Sequence, residues 1–120
     1  IDLVENSRME KIIEKWGTKF ISRIFADAEI EYCGRHAHPA THYGVRFAAK
    51  ESFLKALGIG LGEGVKLSEI TVSNAENGKP TLVLEGEAQN RLREKKITKV
   101  HLSLTHTRNY STAVVLLEHE

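Results

Sequence analysis

The sequence lacks features that define several protein classes. It has a single cysteine, Cys33, so no intrachain disulfide can form, and we expect a reducing, cytoplasmic setting. No apolar run approaches the roughly 20 residues that span a bilayer, and the first residues have no signal-peptide pattern. Because the chain starts with Ile1 instead of Met, we expect a few leading residues to be missing.

An excess of one charge is also absent, since 17 basic and 16 acidic side chains give a formal net charge of +1. This balance gives no indication of nucleic-acid binding. Between residues 8 and 23, however, five basic side chains meet only two acidic ones. The basic members, which we call the basic strip, are Arg8, Lys11, Lys15, Lys19 and Arg23. The strip is either a solvated helix face or a surface for an acidic partner.

The patterns that are present predict one domain over residues 1–120. Capping residues and apolar spacing divide it into short elements. The predicted elements are a strand ending at Val4, a helix capped by Asn6 or Ser7 and stopped by Gly17, a helix over Ala28–Arg35 capped by Asp27, a long helix over Pro39–Leu57, a hairpin turning at Asn77-Gly78, a helix over Ala88–Lys96, and two final strands joined near Arg108-Asn109. Helices followed mostly by strands favour the α+β class, with an antiparallel sheet packed around the long central helix.

Two charged residues on the long helix, Glu51 and Lys55, lie four positions apart and therefore share a face. Taken alone they resemble an exposed ion pair, which contributes only about 0.3–0.5 kcal/mol. Their apolar surroundings and the nearby Arg46 and Lys50 favour another interpretation. Mixed charges of this kind match a site for a hard cation and phosphate oxygens.

Four segments, in order, give the sequence a family resemblance. The longest runs from Arg46 to Gly58 and reads RFAAKESFLKALG. The others are Asp2–Arg8, with an aspartate six residues before an arginine, the turn Gly78-Lys79-Pro80, and Ser103–Thr107, which reads SLTHT. Together they resemble the holo-(acyl-carrier-protein) synthases, which are small phosphopantetheinyl transferases of fatty-acid biosynthesis.

The resemblance implies transfer of 4′-phosphopantetheine from coenzyme A, the co-substrate, to a serine of an acyl carrier protein, with release of adenosine 3′,5′-bisphosphate. It implies that Asp2 and Glu51 hold Mg²⁺, which prefers one or two carboxylates plus phosphate and water. It further implies that Lys55 faces the diphosphate, while either Glu51 or a water on the metal takes the serine proton. Members of the family form homotrimers with active sites between subunits.

The resemblance also implies a set of coenzyme-binding residues, each with a structural alternative. Arg46 and Lys50 would contact phosphate or else close structural ion pairs. The other candidates are Gly58 and Gly60 after the long helix, Gly78, Lys79 and Pro80 in the hairpin turn, and Thr105 and His106 at the end of a strand. The glycines also suit a helix C-cap and tight turns, and His106 suits an ordinary strand end.

The basic strip would receive the acidic carrier protein, chiefly through Arg8, Lys15, Lys19 and Arg23. Two rival functions remain open from the sequence. One is a non-catalytic carrier-binding module on the same fold. The other is a metal-storage or sensor protein that uses His36, His38 and His42, although a polar loop before the long helix also explains these histidines.

Overall fold

The computed structural model describes all residues, 1–120. Its strands are β1 (Asp2–Glu5), β2 (Ile70–Asn74), β3 (Pro80–Leu84), β4 (Ile97–His106) and β5 (Tyr110–His119). Its helices are α1 (Asn6–Trp16), α2 (Thr18–Ile24), α3 (Asp27–Gly34), α4 (Pro39–Leu57) and α5 (Gly86–Glu94), with a 3-10 turn at Leu67–Glu69. None of the helices combines the length and apolar character needed to cross a membrane.

The strands form two antiparallel sheets, one of three strands in the order β1-β5-β4 and one made of β2 and β3. In the larger sheet, β5 lies in the centre, and Ala113 pairs with Asp2 on one side and with Leu104 on the other. Alternate residues of β5 point in opposite directions, so Ala113 and Val115 are buried while Val114 and Leu116 are exposed. One face of this sheet therefore packs on the core.

Helix α4 is the centre of the core, as predicted, and the α+β class is confirmed. Pro39 begins it, because a missing N–H costs nothing in the first turn, and Gly58 ends it in the left-handed conformation at φ 78°. Apolar clusters pack on different faces of the helix, one around Phe53 and Leu54 and another around Tyr43. Burial on several faces explains why its charged residues need partners or a function.

The structure departs from the sequence prediction near the first helix. The prediction lacked α2, because Gly17 was taken as a stop, whereas its φ of 53° turns the chain and a new helix starts at once. Asn6 is the first residue of α1 and does not cap it. Asp27 likewise lies inside α3, whose preceding residue Ala26 donates its N–H to the Glu29 side chain at 2.9 Å.

Candidate active site

The three residues expected to carry the chemistry, Asp2, Glu51 and Lys55, meet where β1 begins beside the C-terminal half of α4. The Oγ of Ser52 donates to the Ala113 carbonyl at 2.9 Å, and Ala113 is the β5 partner of Asp2. This bond sets the helix against the sheet so that Glu51 lies beside Asp2. The Nζ of Lys55 reaches an Asp2 carboxylate oxygen at 2.8 Å.

The electrostatics of this cluster are unbalanced. Burial raises the pKa of Glu51, the Asp2 carboxylate raises it further, and Lys55 only partly opposes the shift. The hydrogen bond to Asp2 in turn raises the pKa of Lys55, whose side chain is 54% exposed against 16% for Asp2. Two carboxylates thus face one half-exposed ammonium, so the excess negative charge suits a divalent cation.

Lys50 corrects one of the predictions. Its side chain is fully buried and forms an ion pair with Glu29 at 2.7 Å. The same Nζ donates to the carbonyl of Leu67 at 3.0 Å and to that of Ile70. Since all three N–H donors are used, Lys50 has none left for a phosphate, and the structural alternative describes it.

Arg46 is also buried, at 4% exposure, but its surroundings differ from those of Lys50. It forms no ion pair, and its guanidinium lies 4.1 Å from the centre of the Tyr32 ring. One of its Nη atoms donates to the His42 carbonyl at 3.4 Å, while its Nε has no partner. The unused donor makes Arg46 a candidate for an anion contact, although its depth limits access.

Three histidine rings gather at the other end of α4. The rings of His36 and His42 stack with centres 3.8 Å apart, and His106 meets His42 at 5.8 Å. Burial, followed by the charges of His36, Arg46 and His106, lowers the pKa of His42 to about 4. His38 is exposed and no ring contact joins it to the stack. The sequence pattern therefore misassigned one member, because His106 arrives from a distant strand.

The arrangement of these histidines is not that of a metal centre. No group of three or more His, Cys, Asp or Glu side chains in the structure is placed to hold a metal ion. Stacked rings present their faces to one another, whereas ligands must direct their nitrogen lone pairs at one point. The geometry thus disfavours the metal-storage and sensor functions.

The predicted glycine and turn residues occupy exposed loops. Gly60 donates its N–H to the Glu63 side chain at 2.9 Å. Gly78 adopts φ 85° in the β2–β3 turn, where the Asn77 side chain accepts the N–H of Lys79 at 3.0 Å. No hydrogen bond or ion pair connects this turn to Asp2. Within a single chain no hydrogen bond, ion pair or ring contact joins these loops to the predicted coenzyme-binding residues at the end of β4, Thr105 and His106.

The basic strip borders a groove that sequence reasoning missed. All four predicted carrier-binding residues are exposed: Arg8, Lys15, Lys19 and Arg23. The groove, of about 870 Å³, lies between α2 and the segment after α4, and its lining includes Trp16, Phe20 and Leu61. Trp16 and Leu61 are 55% and 61% exposed. No periodicity in the sequence could have indicated this groove, because Trp16 ends α1 while Phe20 lies on α2, and the turn at Gly17 sets the angle between the two helices.

Comparisons with known sequences cover nearly the whole chain. A family model described as the 4′-phosphopantetheinyl transferase superfamily matches residues 1–115. The holo-(acyl-carrier-protein) synthase of Syntrophus aciditrophicus is 52% identical over 118 residues, which are 98% of this chain and 92% of the relative. The synthase of Geobacter metallireducens is 44% identical, over 98% of this chain and 94% of the relative.

Solved structures agree with these sequence relatives. The holo-(acyl-carrier-protein) synthase from Neisseria meningitidis superposes with a TM-score of 0.89 at 30% identity, covering 98% of this chain and 94% of that one. The Helicobacter pylori synthase, solved in complex with coenzyme A, gives a TM-score of 0.85 at 26% identity, covering 98% and 96%. Fold and sequence thus lead to the same family.

Proposed function

The chain belongs to the 4′-phosphopantetheinyl transferase superfamily, and on that premise we propose that it loads acyl carrier proteins. In this reaction a carrier serine hydroxyl attacks the phosphorus that bears pantetheine in coenzyme A. The bond to the adenosine-side phosphate breaks, adenosine 3′,5′-bisphosphate leaves, and the serine loses its proton. The observation that carries this proposal is the meeting of Asp2, Glu51 and Lys55.

We propose that Asp2 and Glu51 hold Mg²⁺. The residues fit the ion, because two carboxylates close enough to raise the pKa of Glu51 would be relieved by a divalent cation. The bound ion would supply neutralisation of charge on the coenzyme diphosphate. Both ligands lie on regular secondary structure, a strand and a helix, so their positions are fixed before any ion arrives.

The remaining chemistry falls to Lys55. Its raised pKa keeps it protonated, and its half-exposed side chain can leave Asp2 and reach a phosphate oxygen. A cation at that position stabilises the charge that develops as the diphosphate splits. We propose that either Glu51 or a water on the ion would accept the serine proton, because the raised pKa of Glu51 belongs to the site without the ion and a bound cation would favour its carboxylate form.

The carrier surface is the basic strip together with the adjacent groove. Exposed Lys19 and Arg23 line the groove beside Trp16 and Leu61, so charge and apolar surface occur side by side. Such a combination suits an acidic amphipathic helix. We expect Arg8→Glu to raise the Michaelis constant for the carrier about tenfold without lowering the melting temperature. An unchanged constant would contradict the assignment.

We further propose a homotrimer of single-domain chains in the cytoplasm. The outer face of the larger sheet leaves Leu3, Val114 and Leu116 at 63%, 45% and 57% exposure, next to Asp2. Burying such a face against another copy would bring the separated coenzyme-binding residues of two chains towards one site. Light scattering that gave the mass of one chain would contradict this assembly.

A direct assay tests the proposed reaction. The protein is incubated with apo acyl carrier protein, coenzyme A and Mg²⁺, and intact-mass spectrometry measures the carrier. We expect the mass to rise by one phosphopantetheine, and adenosine 3′,5′-bisphosphate to appear in equal amount. A carrier that binds the protein but gains no mass would support the non-catalytic binding module instead. Omission of Mg²⁺ with chelation should stop the mass addition.

A further inference from the structure

Asn6 has a set of contacts that no capping role explains. The side chain is 5% exposed, and its Nδ2 donates to the carbonyls of Thr107 at 3.1 Å and Arg108 at 3.2 Å. Its backbone N–H donates to the Asn109 carbonyl at 2.9 Å. All three bonds reach the turn between β4 and β5, more than 100 residues away in sequence. Asn6 is thus bound to the tip of a distant hairpin.

The other side of Asn6 faces α4. The Oγ of Ser111 donates to the Asn6 Oδ1 at 2.7 Å and lies 3.3 Å from the Thr41 carbonyl. A Cβ at Gly44 would lie 2.9 Å from the Asn6 Oδ1, closer than real side chains approach. Only glycine at position 44 therefore lets the helix come this near. The Asn6 amide uses both its donor and its acceptor groups, and joins α1, α4 and the hairpin.

The tip of the turn, from Thr107 to Asn109, has few other connections to the body of the protein. Every residue from Thr105 to Tyr110 is exposed, and the flanks of the tip are held by the β4–β5 ladder, by the ring of His106 against that of His42, and by the pairing of Tyr110 with Glu5. The Thr107 Oγ1 accepts the N–H groups of Asn109 and Tyr110 at 3.3 and 3.1 Å, but these bonds are internal to the turn. The bonds from Asn6 connect the tip to the body of the protein.

We infer that Asn6 is a positioning residue for coenzyme A, which holds the Thr105–Arg108 end of the hairpin in its binding conformation. The inference rests on the proposed function, together with the expectation from the family resemblance that Thr105 and His106 contact the coenzyme. Asn6 also stands four residues after Asp2 and two before Arg8. The short segment that carries a proposed metal ligand and a proposed carrier contact is therefore tied directly to the coenzyme-binding turn.

Three variants separate positioning from general stability. Asn6→Asp keeps the acceptor for Ser111 but replaces the donor with a carboxylate oxygen that repels the two turn carbonyls. Asn6→Ala removes both donated bonds without burying a charge, and so covers the case in which the aspartate variant does not fold. Ser111→Ala is the matched control, because it removes one buried hydrogen bond of Asn6 but leaves both bonds to the turn.

The measurements are coenzyme A affinity by calorimetry, steady-state kinetics and the melting temperature. We expect both Asn6 variants to weaken coenzyme A binding about tenfold, with the Michaelis constant for the carrier unchanged and kcat at saturating coenzyme A within about twofold. Ser111→Ala should lower only the melting temperature. If Asn6 had only a structural role, its variants would, like Ser111→Ala, lower the melting temperature and leave coenzyme A affinity unchanged.

Failure of the Asn6 role and failure of the proposed function would give different results. If the unsubstituted chain binds coenzyme A and folded Asn6→Ala binds it equally well, the positioning role is wrong while the proposed function stands. Equal losses of affinity in Asn6→Ala and Ser111→Ala would also overturn it. If the unsubstituted chain binds no coenzyme A, the proposed function fails first and the inference falls with it.

Discussion

Two neighbouring residues of α4, Lys50 and Glu51, differ in how completely hydrogen bonds and opposite charges compensate their own charge. Lys50 and Glu29 are both fully buried, 2.7 Å apart, and backbone groups occupy their remaining hydrogen-bonding positions. Glu51, the next residue, lies beside the carboxylate of Asp2 and shares a single, half-exposed lysine with it. The Lys50–Glu29 pair therefore has no free hydrogen-bonding group for a ligand. Asp2 and Glu51 carry one negative charge more than Lys55 neutralises.

The difference shows how a residue that supports the fold, Lys50, can be told from an adjacent candidate ligand, Glu51. Adjacent helical residues point about 100° apart, so Lys50 and Glu51 face different neighbours despite their adjacency. A buried pair with every donor used can only support the fold. A site that keeps like charges together is held at a cost to the fold, which is typical of a ligand site.

The largest effect should come from Glu51→Gln, which tests the unsatisfied group. The change removes a proposed metal ligand charge while keeping the volume, so we expect transfer activity to fall by at least about 1,000-fold. Because the folded state raises the pKa of Glu51, its ionised form opposes folding at neutral pH, and the melting temperature should rise by about 1–3 °C. Activity assays and thermal melts measure the two effects.

The control for that variant is Glu94→Gln, at an exposed glutamate without a hydrogen bond or ion pair. It changes the net charge by the same amount and should alter neither activity nor melting temperature. Unimpaired turnover in Glu51→Gln would show that the carboxylate is not needed. A lowered melting temperature in Glu51→Gln would show that Glu51 stabilises the fold as Lys50 does, so the two residues would no longer differ in role.

The next effect, on stability, tests the satisfied group. Lys50→Met leaves Glu29 charged, buried and without its cation, so we expect the free energy of unfolding to drop by about 3–5 kcal/mol. Denaturant melts measure it, with Lys11→Met as the control at an exposed lysine. The double variant Glu29→Gln with Lys50→Met should recover part of the loss because no charge stays buried. If Lys50→Met alone were as stable as the unsubstituted chain, the structural role of the Lys50–Glu29 pair would be contradicted.

Much of the fold followed from local patterns in the sequence. Pro39 and Gly58 mark the ends of the long helix, and both ends are confirmed. The turn residues Asn77-Gly78 correctly placed the hairpin of β2 and β3. Helix α2 was missed because the positive φ of Gly17 permits both a stop and an immediate restart, and residue type alone does not choose between them.

The candidate site was less accessible from sequence, because its decisive features are long-range. That Lys50 points to Glu29 depends on how α3 packs on α4, and that Asn6 reaches Thr107 depends on the sheet. Periodicity predicts which residues share a face of one element but not which element covers that face. The proximity of Asp2 to Lys55 came from the family resemblance, and the structure supplies its physical reason in the Ala113 pairing.

The smallest predicted effect is a pH dependence of stability that arises from His42. Burial, followed by the charges of His36, Arg46 and His106, disfavours the charged form of His42 and lowers its pKa to about 4 from an ordinary 6.5. The unfolded chain therefore binds more protons than the folded one between those pH values. Stability should fall as the pH drops from about 6.5 towards 4, by about 1 kcal/mol from this residue once solvent screening of the partly exposed ring is allowed for.

His42→Phe keeps an aromatic ring in the stack but removes the titration, so its stability should decline less over this interval than that of the unsubstituted chain. Denaturant melts at pH 7, 5.5 and 4.5 compare the two slopes, with His38→Phe as the control at an exposed histidine outside the stack. Parallel slopes for His42→Phe and the unsubstituted chain would contradict the assignment of the proton linkage to His42. A lower slope in the variant would show that the fold opposes the charge of His42, as it opposes that of Glu51. The two groups differ in that Glu51 lies beside a second carboxylate, on which its proposed role as a cation ligand depends.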